Sequence, residues 1–327
     1  MPELGLLQFE PLLVERLWGG TRLGVPAREG KTPIGESWLI SDHSSHASVV
    51  SHGRHRGSTL RQLVETYPRE LLGTVPRLTP DGRFPLLLKL IDAAQALSVQ
   101  VHPDDDAAKR LGEPDVGKTE CWHVLDASPG AVLYCGLKPG VDRPQFETAA
   151  REGGVASLLE EARAEPGLTL LIPAGTIHAI GAGVLVAEIQ QNSDITYRLY
   201  DWDRLDAHGN PRALHLEKGL QVADFSSRPS AQATSIPSEA HASQHLVLAT
   251  CPYFSVEELR IEGTERIPTH GDSFNILLAK HGHCKIASGT HAVEIAPRQC
   301  VLAPAALEEL TLTGTQAQVL HFYVPHN

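Results

Sequence analysis

No two cysteines in this chain are spaced Cys-x-x-Cys, and the five present (Cys121, Cys135, Cys251, Cys284 and Cys300) are odd in number. A cysteine-based zinc site and a disulfide framework are therefore set aside. No apolar targeting segment opens the chain and no apolar run reaches membrane-spanning length, so the expected location is the cytoplasm. Positive charge is scarce as well: 28 Lys and Arg stand against 39 Asp and Glu, a formal net charge of −11. That balance argues against nucleic acid or an anionic membrane as the main partner. An anionic substrate must then be held by a locally positive pocket, against the field of the whole molecule.

With 327 residues, 42% hydrophobic and 20% charged, the chain can bury one large core or two ordinary domains. Short apolar or β-branched runs punctuated by Gly, Pro, Asp and Asn predict strands over Pro85–Ile91, Ala96–Val101, Ala131–Cys135, Leu168–Ile172, Val184–Ile189 and Thr196–Tyr200. Such close spacing favours a sandwich or barrel of antiparallel strands over βαβ units. Helix is predicted over Thr59–Leu72, capped by Ser58, and as two short pieces within Asp142–Ala164, broken at Gly153-Gly154. Residues Ser226–Gln244 lack periodicity and read as a linker. The predicted division is a catalytic β domain over 1–225 with helical insertions at about 54–75 and 142–165, the linker over 226–244, and a smaller β domain over 245–327. Leu171-Ile-Pro173-Ala174 is echoed by Val301-Leu-Ala-Pro304-Ala305, but Glu309 stands where the first copy has His178. The second domain is accordingly expected to lack metal ligands.

The chemistry concentrates in Ser98-Val-Gln100-Val-His102-Pro103-Asp104. Gln100 and His102 alternate with apolar residues, so a strand points both to one face. Glu120 follows in Lys118-Thr-Glu120, and His178 ends Pro173-Ala-Gly175-Thr-Ile-His178. In the latter run Pro173 closes a strand, Gly175 permits a turn with positive φ, and His178 opens the next strand. One carboxylate and two imidazoles, with the Gln100 amide in reach, suit a borderline metal such as Zn²⁺ and leave room for a substrate oxygen. Seventeen histidines occur in all, but His43, His46, His52 and His55 share one polar stretch and are expected to be solvated. Glu188 and Gln190 share a face, Arg198 follows one hairpin later, Lys118 shares the face of Glu120, and Lys89 interrupts an apolar strand where an edge lysine or an anion-binding lysine are the two readings.

The motif around Pro173–His178 resembles the second metal motif of cupin barrels. Taken in order, Trp18-Gly-Gly, Ile34-Gly-Glu36-Ser-Trp38, Phe84-Pro-Leu-Leu-Leu-Lys89, Leu97–Asp104, Gly117-Lys-Thr-Glu-Cys-Trp122, Pro173–His178 and Gln190–Arg204 resemble type I mannose-6-phosphate isomerase (phosphomannose isomerase) in its short bacterial form. The resemblance implies a mainly β, cupin-type jelly-roll barrel with helical insertions and a second, smaller β-barrel. It implies one Zn²⁺ per chain on His102, Glu120 and His178, with Gln100 a fourth ligand in longer members. It makes Arg198 an active-site residue and places Ser98, Lys89 and Lys118 in the sugar-phosphate pocket. After Arg198 the run Leu199-Tyr-Asp201-Trp202 departs from the longer members.

The implied reaction moves a proton between C1 and C2 of the sugar through an enediolate. It needs a cation near both oxygens, a base at carbon and a phosphate anchor. Glu188 and Lys118 are the candidate bases, and Arg198 can hold an oxyanion or the phosphate. Two other readings compete: an Fe²⁺ cupin oxygenase, and a sugar-phosphate-binding cupin without catalysis. A small-molecule partner and a monomer are expected, since no apolar interface stripe is apparent.

Overall fold

The computed structural model describes residues 4–24, 31–205, 209–226, 244–269, 271–307 and 309–326. The predicted linker lies outside these residues except at its two ends. The chain divides into two compact units, each assembled from separate stretches: Leu13–Ser37 with Leu90–Ala231, and Met1–Leu12 with Trp38–Lys89 and Gln232–Asn327. The stretch that carries the first predicted helix therefore groups with the C-terminal residues.

The unit containing Leu90–Ala231 is built on antiparallel sheets, as the short, closely spaced runs predict. One sheet runs Leu12–Gly20, Ile34–Ile40, Leu86–Ala93, Val184–Gln191, Glu120–Ala127, Thr169–Ile172. The other runs Tyr197–Tyr200, Val99–Val101, His178–Ile180, Val132–Leu137, Leu159–Arg163. Trp122, Val124, Leu170 and Val186 from the first pack with Leu133 and Ile180 from the second in one buried cluster, which identifies the facing sides of the two sheets. The opposite side of the smaller sheet, bearing Val99, Val101, Ala179, Tyr197 and Leu199, packs with Phe146 and Leu220 from the helices Arg143–Glu152 and Leu216–Val222. Alternation then fixes which residues face inward: Gln100, His178 and Arg198 on the smaller sheet, Glu120, Trp122, Glu188 and Gln190 on the larger. Along Val184–Gln191 the inward row passes from Val186 to Glu188 and Gln190, so one end of the space between the sheets is apolar and the other polar.

In the other unit a sheet runs Gln244–Thr250, Ser255–Pro268, Glu309–Tyr323, Asn275–His281, Cys300–Ala303, and Cys284–Ser288 and His291–Ile295 extend it as a hairpin on Glu309–Tyr323. Leu259, Ile261, Leu277, Val301, Leu312 and Val319 form its core. Leu7 exchanges both backbone hydrogen bonds with Leu302, at 2.9 and 2.8 Å. The echoed motif has the same local form in both units: a strand ends at proline, and an amide three residues on donates to its carbonyl, Thr176 to Pro173 at 3.1 Å and Leu307 to Pro304 at 3.0 Å. The next strand then opens on buried His178 in one case and exposed Glu309 in the other.

Local chemistry corrects several expectations. The predicted helix at 59–72 is two, Leu60–Thr66 and Pro68–Leu72, because Pro68 cannot donate to the preceding turn. Its cap is Thr59, reciprocated by Gln62, and not Ser58. Beyond Gly153 and Gly154, with φ of 94° and 97°, the expected second helix is a 3₁₀ turn over Val155–Leu158 followed by the strand Leu159–Arg163. His43 is buried, with its ring 5.9 Å from that of Trp38, so the expectation of a solvated side chain fails there.

Candidate metal centre and active site

His102 directly follows the strand Val99–Val101 and precedes Pro103. Its Nδ1 lies 2.7 Å from the carbonyl of Ile195, and His178 Nδ1 lies 2.8 Å from the carbonyl of Thr176. A carbonyl only accepts, so both rings carry their proton on Nδ1 and present the Nε2 lone pair to the interior. Those two Nε2 atoms face Glu120: His178 is 3.3 Å from Oε1 and His102 is 3.5 Å from Oε2. One ligand atom from each of the three residues lies within 4.8 Å of the others, and all three side chains are buried. Burial first, then Lys118, pushes the His102 pKa down to about 3, and burial likewise lowers that of His178, so both rings are neutral. Burial opposes charge on Glu120, but the Lys118 ammonium outweighs it and holds its pKa well below the usual carboxylate range.

The donor set fits a divalent cation. Neither Glu120 oxygen receives a directed hydrogen bond, although a fully buried carboxylate demands compensation. The Lys118 ammonium lies 2.6 Å from Oε2 as an ion pair and 3.3 Å from His102 Nε2, so the cluster already turns its lone pairs toward positive charge. Two nitrogens and one oxygen form the set expected for zinc with open positions.

Backbone ties lock these residues together. Gly175, at φ 85°, donates its N–H to the carbonyl of His102 at 2.8 Å, so the turn that delivers one histidine is pinned to the other. Lys118 N–H donates to the carbonyl of Pro103 at 2.9 Å, and a Cβ on Gly117 would come within 2.4 Å of the Asp104 backbone. Only glycine allows that approach, which explains why Gly117 precedes the lysine.

The register sets Arg198, Gln100 and His178 in one row across three adjacent strands. On the facing sheet Glu120 pairs with Gln190 and Trp122 with Glu188. The Gln100 amide nitrogen is 3.2 Å from His178 Nε2, and a half-turn of the amide exchanges it for the oxygen a metal requires. Trp122 Nε1 donates to Glu188 Oε2 at 2.9 Å, with its ring edge-on to His178 at 5.3 Å.

Residues 9–119 match the family described as phosphomannose isomerase type I, catalytic domain. Mannose-6-phosphate isomerase ManA of Bacillus subtilis is 36% identical over 321 residues, covering 94% of this chain and 96% of that protein. The chain belongs to the type I mannose-6-phosphate isomerase family. The mannose-6-phosphate isomerase of Streptococcus mutans is also 36% identical, over 79% of this chain and 81% of that protein. The crystal structure of the Bacillus subtilis mannose 6-phosphate isomerase superposes with a TM-score of 0.87 at 32% identity, covering 97% of this chain and 99% of that one. The mainly β, cupin-type fold of the phosphomannose isomerases is therefore the fold of this chain.

Within this isomerase family member the structure draws together His102, Glu120, His178, Gln100 and Lys118 by direct distance. Glu188 joins through Trp122, and Arg198 through its place beside Gln100. Ser98 is buried two residues before Gln100. Lys89 lies on the strand next to Val184–Gln191, and its ammonium is 4.7 Å over the Trp38 ring. Sequence reasoning passed over Trp122, although it continues the alternation of Lys118 and Glu120. The carbonyls of Ile195 and Thr176 carry no side-chain signal and were out of its reach.

Proposed function

We propose that this chain is a zinc-dependent aldose–ketose isomerase that interconverts mannose 6-phosphate and fructose 6-phosphate through an enediolate. The buried His102, Glu120 and His178 donor set, with Lys118 and Glu188 beside it, carries the reading. His102, Glu120 and His178 would hold the metal, with the Gln100 amide in reach as a fourth ligand. Zinc held there would supply a Lewis acid for the substrate's oxygens.

The chain's own groups do the rest. Glu188, oriented by the Trp122 indole, takes the proton from one carbon and returns it to the next. Lys118 places a positive donor beside the donor set, where negative charge grows on the sugar oxygens. Arg198 supplies a guanidinium for the substrate's anionic end, and Ser98 lines the strand that carries Gln100. His102, Glu120 and His178 are all buried, which limits water around the donor set. The enzyme acts on a small sugar phosphate as a cytoplasmic monomer. Among the described residues no helix is long and apolar enough to cross a membrane.

A coupled assay of the purified protein tests the proposal. Mannose 6-phosphate is converted to fructose 6-phosphate, chelation abolishes turnover, and zinc restores it. Turnover that survives chelation, or that persists unchanged in His178→Ala, removes the metal from the mechanism. Stoichiometric iron with oxygen uptake overturns the isomerase reading.

A further inference from the structure

Beyond the strand that bears Arg198, positive charge accumulates without a matching number of carboxylates. Asp201, only 5% exposed, is gripped by two arginines. Arg212 Nε donates to its Oδ2 at 2.6 Å and Arg212 Nη2 to its Oδ1, while Arg204 Nη2 also reaches Oδ1 at 2.6 Å. Arg198 donates through Nη1 to the carbonyl of Ala213 at 2.8 Å and makes no carboxylate pair among the described residues. Both Arg198 Nε and Arg204 Nη1 are buried donors with no hydrogen-bond partner among the described residues. The acids nearby are otherwise engaged: Asp203 accepts from Tyr200 OH at 3.0 Å, and Glu113 accepts from Tyr197 OH and from Lys218 Nζ. His215 Nδ1 accepts the Arg198 backbone N–H at 3.2 Å; burial, then Arg198 and Lys218, lowers its pKa.

Three guanidiniums thus gather around one carboxylate, which only two of them bond, in a chain whose net charge is −11. A clamp for Asp201 needs only one of them. The second adds repulsion, and burial then lowers the Arg198 pKa with help from Arg212 and Arg204 while Asp201 opposes. Buried donors without partners in a folded protein call for an occupant. A phosphate dianion matches the surplus of two charges and offers oxygens in the geometry guanidinium forks recognise.

We infer that Arg204 and Arg212, together with Arg198, form the seat of the substrate's phosphate, with Asp201 the anion that competes with it for the two distal arginines. Arg198 stands two strands from His178 in the same row, roughly 10 Å at ordinary strand spacing. That is the order of length of a hexose 6-phosphate laid between the metal ligands and the arginines. The inference rests on the sugar-phosphate reading, so its test is made separable from turnover.

Binding of inorganic phosphate to the full chain is measured by titration calorimetry, alongside the isomerase assay. The unsubstituted protein binds phosphate, and Arg212→Gln and Arg204→Gln each weaken it on the order of tenfold to a hundredfold, the worth of a charge-assisted hydrogen bond. In the isomerase assay the same variants raise KM for mannose 6-phosphate while kcat changes little. Asp201→Asn keeps every cation and removes the competing anion, so it binds phosphate at least as tightly, which keeps the test open should an arginine variant misfold. No phosphate binding by the unsubstituted protein, unchanged binding in the folded arginine variants, or weaker binding in folded Asp201→Asn overturns the assignment. Phosphate binding that follows this pattern without any isomerisation leaves the seat standing and sinks the proposed reaction.

Discussion

Glu120→Gln separates two roles that the structure gives one carboxylate. In the metal-free protein Glu120 is the near anion of Lys118, which is 4% exposed, with Oε2 2.6 Å from Nζ. Breaking a buried ion pair by removing one partner typically costs about 3–5 kcal/mol. Glu188 also interacts favourably with the Lys118 charge and stays in place, so the lower end, about 3 kcal/mol, is expected. With zinc present a second loss is added, because the variant lacks the one anionic ligand. At free zinc a hundredfold above its Kd, the unsubstituted protein gains about 2.7 kcal/mol that a non-binding variant does not. Urea unfolding in chelator should therefore show a gap of about 3 kcal/mol, widening to roughly 5–6 kcal/mol with zinc. Turnover in the variant should be lost under both conditions. A gap that is the same with and without zinc would refute Glu120 as a ligand. No gap in chelator would refute the buried pair.

Three further outcomes follow from particular contacts. Trp122→Phe removes the indole N–H that orients Glu188 and should lower kcat by about tenfold or more with zinc content retained, the worth of a hydrogen bond to a charged acceptor; unchanged kcat would remove Glu188 as the base. Gly117→Ala forces a methyl against the Asp104 backbone, costing about 1–3 kcal/mol and reducing zinc per chain, both read from thermal unfolding and metal analysis. Glu258, 3% exposed, is held between Lys280 Nζ and Arg260 Nε at 2.6 and 2.7 Å, and these cations outweigh burial to lower its pKa from 4.5. A depressed carboxylate contributes stability above its unfolded pKa and loses it as pH falls through the folded one. Glu258→Gln should accordingly be about 2–4 kcal/mol less stable at pH 7, with the difference shrinking in acid below pH 4.5; a constant difference contradicts the pairing.

Much of the centre was legible because strands announce themselves by alternation. The inward positions of Gln100, Lys118, Glu120 and Glu188 follow from a period of two, and His178 opens its strand where the Pro173 and Gly175 turn predicts. What alternation cannot convey is pairing across the fold. Arg204 and Arg212 meet Asp201 over a loop, and the carbonyls of Ile195 and Thr176 that orient the histidines are backbone groups any residue supplies. Lys89 reads from its apolar flanks as either an edge or an anion-binding lysine, and its contact with Trp38 joins residues too far apart in sequence for alternation to reveal. Leu159–Arg163 reads as helix from its Glu and Arg content, whereas its pairing with Val132–Leu137 makes it a strand.

The bridge between Leu7 and Leu302 has a bearing on the order in which this protein can be finished. As the ribosome releases the chain, every stretch of the metal-bearing unit has emerged once residue 231 is out. The other unit has then shown only its first two pieces, Met1–Leu12 and Trp38–Lys89, and must wait for Gln232–Asn327, which supplies its buried cluster. Contacts so distant in sequence are slow to form, and waiting segments with buried-type side chains are exposed to misassociation. The metal centre is thus built from the part of the chain that can fold first, while the earliest residues made are among the last to find their place.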